Sequence, residues 1–223
     1  MKKIWLVCSV ILSITVGCKK NDSGSGTGSG LNTYLPLTTN STFNYTVTRN
    51  GAITTPTYTV QSGDTTAFSK SYKKVKSNTG ETSYYTQQGN DYYTLFNIPS
   101  IGGLELLFLK DNVAENTTWS SSQNVGNINV PGSPIPVSVT INLQFKIVSK
   151  TSNRTVRGKV YNDVIQSQCT LTANTLIGNL SLGTADFYFA KNVGIIESVI
   201  ALNNTTAGIN TNEKYELTAY DIK

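Results

Sequence analysis

The stretch Val137-Ser-Val-Thr-Ile-Asn-Leu-Gln-Phe-Lys-Ile-Val148 alternates apolar and polar side chains from Val137 to Ile147. A period of two is typical of a β-strand with one buried face and one solvated face. At about 3.3 Å per residue this stretch would span about 40 Å, whereas the usual strand has only about 5–6 residues. Because strands have an intrinsic twist, one this long must curl. The stretch therefore predicts a strongly curved sheet, a partial barrel or a sandwich.

Turn signals divide the rest of the chain into further strands. Asn50-Gly51 and Gly89-Asn90 each separate two strand-like runs, and such pairs favour tight hairpins because both residues tolerate positive φ. Gly158 and Gly194 also lie between such runs. Ser120–Pro136 is rich in Gly, Pro, Ser and Asn and is interpreted as a long loop. No amphipathic helix is evident, so the sequence predicts an all-β single domain of about ten antiparallel strands.

The hairpin that turns at Gly89-Asn90 carries tyrosines on both faces. With a two-residue turn, Tyr85 lies opposite Thr94 and Gln87 lies opposite Tyr92. The face that we assign to the core carries Tyr84, Tyr93 and Leu95. Tyr85 and Tyr92 then share an exposed face, where aromatic rings can stack on sugars. They are candidate glycan-stacking residues, although cross-strand tyrosines also stabilise sheets without any ligand.

The N-terminus has the features of a bacterial lipoprotein leader. Lys2 and Lys3 precede the apolar stretch Ile4–Val16, which is shorter than the about 20 residues that a membrane span needs. Gly17-Cys18 follows and resembles a lipobox, in which the cysteine sulfur receives a diacylglyceryl group and becomes the first mature residue. The alternative is an ordinary secretory signal with a chance cysteine.

The predicted leader divides the chain into three parts. Residues 1–17 are a lipoprotein signal peptide, residues 18–30 are the lipidated Cys18 and a flexible Gly/Ser linker, and residues 31–223 are the β-rich domain. Two or more acyl chains hold a protein stably on a membrane. By resemblance to other lipoproteins, Lys19 after the cysteine favours the outer membrane. The domain could face either the periplasm or the cell surface.

The composition excludes several classes of function. The chain has 18 basic and 13 acidic residues, and two of the basic ones belong to the leader, so no strongly basic nucleic-acid surface is expected. There is no histidine, which excludes Ser-His and Cys-His nucleophile pairs and His-based zinc sites. With Cys8 in the leader and Cys18 lipidated, Cys169 is alone and is interpreted as a buried small apolar residue. We expect no metal and no cofactor.

Two further patterns concern modification and catalysis. Asp64-Thr65-Thr66 resembles the acceptor motif of Bacteroidota O-glycosylation, which makes Thr65 a candidate attachment site. The acidic residues are scattered along the chain, and we expect a non-enzymatic protein. Two carboxylates that converge in a cleft would instead favour an enzyme.

Four segments resemble a group of uncharacterised Bacteroidota outer-membrane lipoproteins. The family patterns are Tyr-Phe-Pro-Leu followed by Trp-x-Tyr, then Gly-Lys-x-Tyr-x-x-Val-Ile, then Tyr-x-Ala-x-x-Val-Gly-x-Ile, and a closing strand. The corresponding segments are Tyr34-Leu35-Pro36-Leu37 with Phe43-Asn44-Tyr45, Gly158–Ile165, Phe187–Ile196 and Glu216–Tyr220. The resemblance implies a β-rich outer-membrane lipoprotein and carries over no catalytic residue.

The sequence therefore favours a membrane-anchored domain that binds an unknown protein, lipid or glycan. In the acyl-chain-carrier version, Val139, Ile141, Leu143 and Phe145 would line a cavity for the chain. The alternative, which we favour, is that these side chains simply fill the core. A glycan-binding surface at Tyr85 and Tyr92 is the second possibility.

Overall fold

Thirteen strands account for nearly all of the chain covered by the computed structural model, which describes residues 32–98, 102–128, 137–175, 178–205 and 209–223. The strands are β1 (Thr42–Arg49), β2 (Ala52–Thr54), β3 (Thr57–Ala67), β4 (Lys70–Ser77), β5 (Thr82–Gln88), β6 (Asp91–Ile98), β7 (Gly102–Lys110), β8 (Thr118–Ile128), β9 (Val137–Val156), β10 (Lys159–Thr175), β11 (Gly178–Ala190), β12 (Gly194–Asn204) and β13 (Ile209–Asp221). Among these residues there is no helix that is long and apolar enough to cross a membrane.

The strands form one antiparallel sheet in the order β7-β6-β5-β4-β3-β1-β13-β12-β11-β10-β9-β8, with β2 paired to β1 beside this path. Most neighbours in the sheet are also neighbours in the chain. The pairing of β1 with β13 joins the two halves of the chain, with Thr42 opposite Asp221 and Arg49 opposite Glu213. The prediction of an all-β domain with a strongly curved sheet is confirmed, since the sheet curls into a nearly closed barrel.

The long alternating stretch lies in β9, which has 20 residues. Its apolar side chains, Val139, Ile141, Leu143, Phe145 and Ile147, are each at most 1% exposed. They pack in the larger hydrophobic cluster with residues of β7, β10, β11 and β12. The alternation thus identified the inner face of the sheet correctly.

The prediction of a loop over Ser120–Pro136 was wrong for its first part, which belongs to β8 (residues 129–136 lie outside the described residues). β8 pairs with β9 from Thr118 opposite Lys146 to Ile128 opposite Val137. Seven of the 11 residues of β8 are Ser, Gln, Asn or Gly, so its sequence is poor in the β-branched and aromatic residues that favour strands. Pairing with a long neighbour outweighs such weak intrinsic preferences.

Side chains of β8 close the seam of the barrel, where β7 and β8 form the two ends of the strand order. The indole N–H of Trp119 donates to the carbonyl oxygen of Leu107 at 2.8 Å. The side-chain amide of Gln123 donates to the carbonyl oxygen of Glu105 at 2.7 Å and accepts from the Glu105 N–H at 3.2 Å. Two side chains therefore do at this seam what backbone pairing does elsewhere in the sheet.

The antiparallel order gives the barrel two distinct ends. At one end, which we call the proximal end, residues 32–41 lead into β1. The connections after β3, β5, β7, β9 and β11 lie at the same end. The strap, residues 33–37, is fixed at this end. The Thr33 hydroxyl donates to Gln87 at 2.8 Å, and the Asn192 N–H donates to the Thr33 carbonyl oxygen at 2.7 Å. The connections after β1 and β4 lie at the opposite, distal end.

Candidate functional site

A cavity of about 190 Å³ lies inside the barrel, between strands β1 and β3–β7 on one side and β11–β13 on the other. The strap residues Leu35–Leu37 and Gly194 line its proximal part, whereas Glu81 and Glu213 line its distal part. Its aromatic lining residues are Phe43, Tyr45, Tyr58, Tyr85, Phe108, Phe187 and Tyr215. The cavity is therefore apolar and aromatic along most of its length and acidic at one end.

Three tyrosine rings surround the middle of the cavity. The ring of Tyr45 meets that of Tyr58 edge to face, with centroids 5.7 Å apart and planes at 82°. It meets the ring of Tyr215 in the same way, at 6.3 Å and 79°. The Tyr45 hydroxyl donates to the carbonyl oxygen of Ile195 at 2.7 Å, which holds the central ring in place.

The acidic end is organised around Arg49, the last residue of β1, which lies directly opposite Glu213 on β13. The Arg49 Nε donates to Glu213 Oε1 at 2.7 Å, and Arg49 Nη2 donates to Glu81 Oε1 at 3.0 Å. Glu81 lies in the β4–β5 turn, where its N–H donates to the hydroxyl oxygen of Ser77 at 3.0 Å. The turn thereby places Glu81 beside the end of β1, although 32 positions separate Glu81 from Arg49.

Two tyrosine hydroxyls complete this acidic cluster, which we define as Arg49, Glu81, Glu213, Tyr58 and Tyr215. Tyr58 donates to Glu81 Oε2 at 2.6 Å, and Tyr215 donates to Glu213 Oε2 at 2.9 Å. Arg49 Nη2 also donates to the Tyr215 hydroxyl at 3.0 Å. Each carboxylate is thus held by the guanidinium and by one phenol.

The cluster carries one surplus negative charge at neutral pH, because two carboxylates face one guanidinium. Burial alone would raise the pKa of Glu81, but the hydrogen bonds from Tyr58 and Arg49 lower it below its ordinary value. Burial, followed by the hydrogen bond to Glu81, raises the pKa of Tyr58. Burial, followed by the charge of Glu213, raises the pKa of Tyr215. Both phenols therefore stay neutral at physiological pH.

The convergence of two carboxylates raises the question of acid–base catalysis. A general acid at neutral pH needs a raised pKa. The pKa of Glu81 is instead lowered, so this carboxyl group is poorly suited to donate a proton. What the arrangement does well is to hold a fixed negative charge beside an apolar cavity.

The predicted glycan-stacking pair does not lie on an exposed face. Tyr92 is fully buried, and its hydroxyl donates to Asp111 at 2.7 Å. Tyr85 is half-buried and its ring stacks on that of Phe108, with centroids 6.0 Å apart and planes at 25°. The predicted pairing across the hairpin is confirmed, with Tyr85 opposite Thr94 and Gln87 opposite Tyr92. The assignment of its two faces was wrong, because each strand carries tyrosines on both faces and the pattern does not distinguish them.

The candidate modification sites have different positions. Thr65 is exposed on β3, opposite Tyr72, and the neighbouring Asp64 accepts hydrogen bonds from Ser71 and Lys73. O-glycosylation of Thr65 stays a prediction. Cys18 lies outside the described residues, and its lipidation also stays a prediction.

The four residues considered for an acyl-chain cavity, Val139, Ile141, Leu143 and Phe145, are packed in the core and do not line the cavity described above. Cys169 is buried, and burial raises the pKa of its thiol to about 12. Within the described part of the chain, no three His, Cys, Asp or Glu residues come together in a way that could hold a metal ion.

Sequence reasoning missed the acidic cluster altogether. Arg49 ends β1, Glu81 lies in a turn and Glu213 lies within β13, and single charged residues at such positions are most often solvated. Their spacing in the sequence carries no signal, because the β1–β13 pairing and the β4–β5 turn bring them together only in the folded barrel. The one available hint was the Asn50-Gly51 turn, which places Arg49 at the end of a strand.

No protein-family model and no curated protein matches this chain. Three crystal structures are similar in fold. One is a candidate lipoprotein from Parabacteroides distasonis, with 9% identity and a TM-score of 0.49, covering 86% of this chain and 100% of that one. The second is a candidate exported protein with a YmcC-like fold from Bacteroides fragilis, with 10% identity and a TM-score of 0.41, covering 84% and 98%.

The third is the hypothetical lipoprotein YmcC from Escherichia coli, with 11% identity and a TM-score of 0.38, covering 84% of this chain and 89% of that one. At these identities and scores, the three likenesses assign neither a family nor an activity to this chain.

Proposed function

We propose that this chain is a lipid-anchored protein of the outer membrane that binds a small, largely apolar ligand in the barrel cavity without transforming it. The observation that supports this proposal is the cavity itself, with strap residues Leu35–Leu37 at one end and Glu81 and Glu213 at the other. Apolar walls with a few converging polar groups are typical of small-molecule sites.

The size of the cavity limits the ligand. An apolar cavity of about 150 Å³ can hold benzene, and small-molecule sites usually measure about 300–1,000 Å³. The cavity of about 190 Å³ is close in volume to the benzene-sized cavity and smaller than a usual small-molecule site. The buried part of the ligand is therefore an aromatic ring or a short alkyl chain, and not a full-length lipid acyl chain.

The orientation of the barrel agrees with an N-terminal anchor. The strap lies at the proximal end, where the chain enters β1, whereas the acidic cluster lies at the distal end. A linker of about 12 Gly- and Ser-rich residues spans roughly 20 Å as a flexible coil. An anchored barrel would thus keep its proximal end nearer the membrane and its acidic end farther away.

Filling the cavity tests the binding role. Ser198 is 6% exposed and lines the cavity, so Ser198→Leu places a larger apolar side chain in existing space. The reference protein is the chain from residue 18 with Cys18→Ser, which carries no acyl chain and needs no detergent; its barrel is otherwise wild type. It should bind 1-octanol saturably with a Kd below about 1 mM. Ser198→Leu should abolish this binding in isothermal titration calorimetry and stabilise the fold by about 0.5–2 kcal/mol, as cavity filling does.

The matched control is Ser120→Leu, which adds the same side chain at an exposed position of β8. It should leave octanol binding unchanged. Equal octanol binding by the wild-type barrel and the Ser198→Leu barrel would contradict the binding role.

The anchor is tested separately by metabolic labelling of the full chain with radioactive palmitate. We expect label on the wild-type chain, no label on Cys18→Ser, and label retained on Cys169→Ser, because Cys169 is buried in the core. Unlabelled wild-type protein would show that the leader is an ordinary secretory signal. Label that persists in Cys18→Ser would show that the acyl chain is attached at another residue and would contradict the anchor at Cys18.

A further inference from the structure

We propose that the ligand of the cavity is an organic cation, an ammonium group on a small apolar body, with its charge at the acidic cluster. This inference rests on the proposed binding function and adds the chemical class of the ligand. It is carried by the juxtaposition of two carboxylates, Glu81 and Glu213, with the rings of Tyr58 and Tyr215 on the wall of one cavity.

The first argument is the balance of charge. The side chain of Glu213 is 15% exposed and that of Glu81 is 40% exposed, and both meet the same guanidinium of Arg49. The hydrogen bonds from Tyr58 and Arg49 favour the ionised form of Glu81, and both phenols stay neutral, so Arg49 leaves one negative charge without a counterion inside the cluster. A bound cation would supply that counterion in a place that is partly shielded from water.

The second argument is the position of the guanidinium. Glu81 and Glu213 form part of the cavity wall, whereas Arg49 does not line the cavity and its side chain is 47% exposed. A ligand inside the cavity therefore meets the carboxylates before it meets Arg49. An anionic ligand would be repelled by the two carboxylates, and a neutral apolar ligand would make no favourable electrostatic interaction with them.

The third argument is the aromatic lining. The rings of Tyr45, Tyr58 and Tyr215 line the cavity, and the Tyr45 ring stands roughly perpendicular to the other two, at 82° and 79°. Aromatic rings attract cations through the negative charge of their faces, and groups of such rings are a common means of binding quaternary ammonium ions. Tyr58 and Tyr215 are well placed for this, because their hydroxyls donate to Glu81 and Glu213 and so hold the two rings beside the negative charge.

The test is a matched ligand series on the Cys18→Ser chain that begins at residue 18. Octylammonium, octyltrimethylammonium, 1-octanol and octanoate each have a chain of eight carbons, the last of which in octanoate is the carboxylate carbon, and they differ in the head group. We expect both cations to bind at least about tenfold more tightly than octanol, and octanoate to bind more weakly than octanol. Added salt should weaken the binding of the cations and leave octanol unaffected.

Variants locate the charge that is responsible. Glu81→Gln and Glu213→Gln keep the size and much of the hydrogen bonding of the side chains, and each should reduce octylammonium affinity about tenfold without changing octanol affinity. The control is Glu216→Gln, on the same strand as Glu213. Glu216 pairs with Lys214 and Arg157 and does not line the cavity, so this variant should bind octylammonium like the wild type.

The outcomes separate the two proposals. If octanol and the cations bind equally well, or if octanoate binds best, the cation inference is overturned and the binding function stands. If none of the four compounds binds, the binding function itself is overturned. Equal losses of octylammonium affinity in Glu216→Gln and Glu213→Gln would show only a general effect of net charge and would also overturn the inference. Because the ligand series needs no substitution within the barrel, a barrel variant that fails to fold does not prevent the test.

Discussion

Gly183→Ala is expected to destabilise the barrel strongly, although it adds only one methyl group. Gly183 lies on β11 with a φ of +133°, and a Cβ at this position would be 2.0 Å from the carbonyl oxygen of Ala201 and 2.8 Å from the Cα of Leu202. Both atoms are backbone of β12, which pairs with β11 at this point. The substitution therefore forces two paired strands apart.

The expected loss has two parts, a backbone strain of about 1–3 kcal/mol and an overpacking cost of about 1–3 kcal/mol. It should appear as a lower denaturation midpoint in urea at an unchanged slope. Gly63→Ala is the matched control, since Gly63 also has positive φ, at +81°, but nothing lies within 4 Å of its Cβ position. Equal losses in the two variants would mean that the approach of Ala201 does not matter.

Phe189→Ala is the second large effect, with an expected loss of about 3–5 kcal/mol, typical of a fully buried phenylalanine. Phe189 is 0% exposed on β11, between Ile165 of β10 and Ile195 of β12. Its ring meets that of Phe108 edge to face, with centroids 5.1 Å apart. Removing it leaves a void among side chains of several strands that cannot all move inward together.

Two controls separate burial from chemistry. Phe68→Ala makes the same substitution in the β3–β4 turn, where the side chain is 53% exposed, and should change stability by less than about 0.5 kcal/mol. Phe189→Leu keeps most of the volume and should cost clearly less than Phe189→Ala. Thermal unfolding that shows similar losses for Phe68→Ala and Phe189→Ala would contradict this description of the core.

The features predicted well from the sequence are those that depend on neighbours in the chain. The alternation from Val139 to Ile147 identified the inner face of β9, and all five apolar positions are buried. The Gly89-Asn90 turn fixed the register of its hairpin, with Gln87 opposite Tyr92. The curvature followed from strand length alone, since a long strand must twist.

The features that were missed depend on residues far apart in the chain. Which face of the Tyr85 and Tyr92 hairpin turns inward is decided by packing between strands, where Phe108 of β7 stacks on Tyr85 and meets Phe187 and Phe189 of β11. β8 is a strand because β9 is there to pair with it. The acidic cluster needs Arg49 and Glu213, which are 164 positions apart. Whether the barrel interior is filled or contains a cavity depends on how the side chains of opposite strands pack against one another, and no local sequence pattern predicts that.

The seam between β7 and β8 has a consequence for the behaviour of the protein at high concentration. Unpaired strand edges are templates on which other chains can add a strand and begin to aggregate. At this seam Trp119 and Gln123 already occupy the carbonyl oxygens of Leu107 and Glu105, and Gln123 also occupies the Glu105 N–H. The two edges thus block one another, and the barrel gains protection against edge-to-edge self-association without completing its hydrogen-bonded circle.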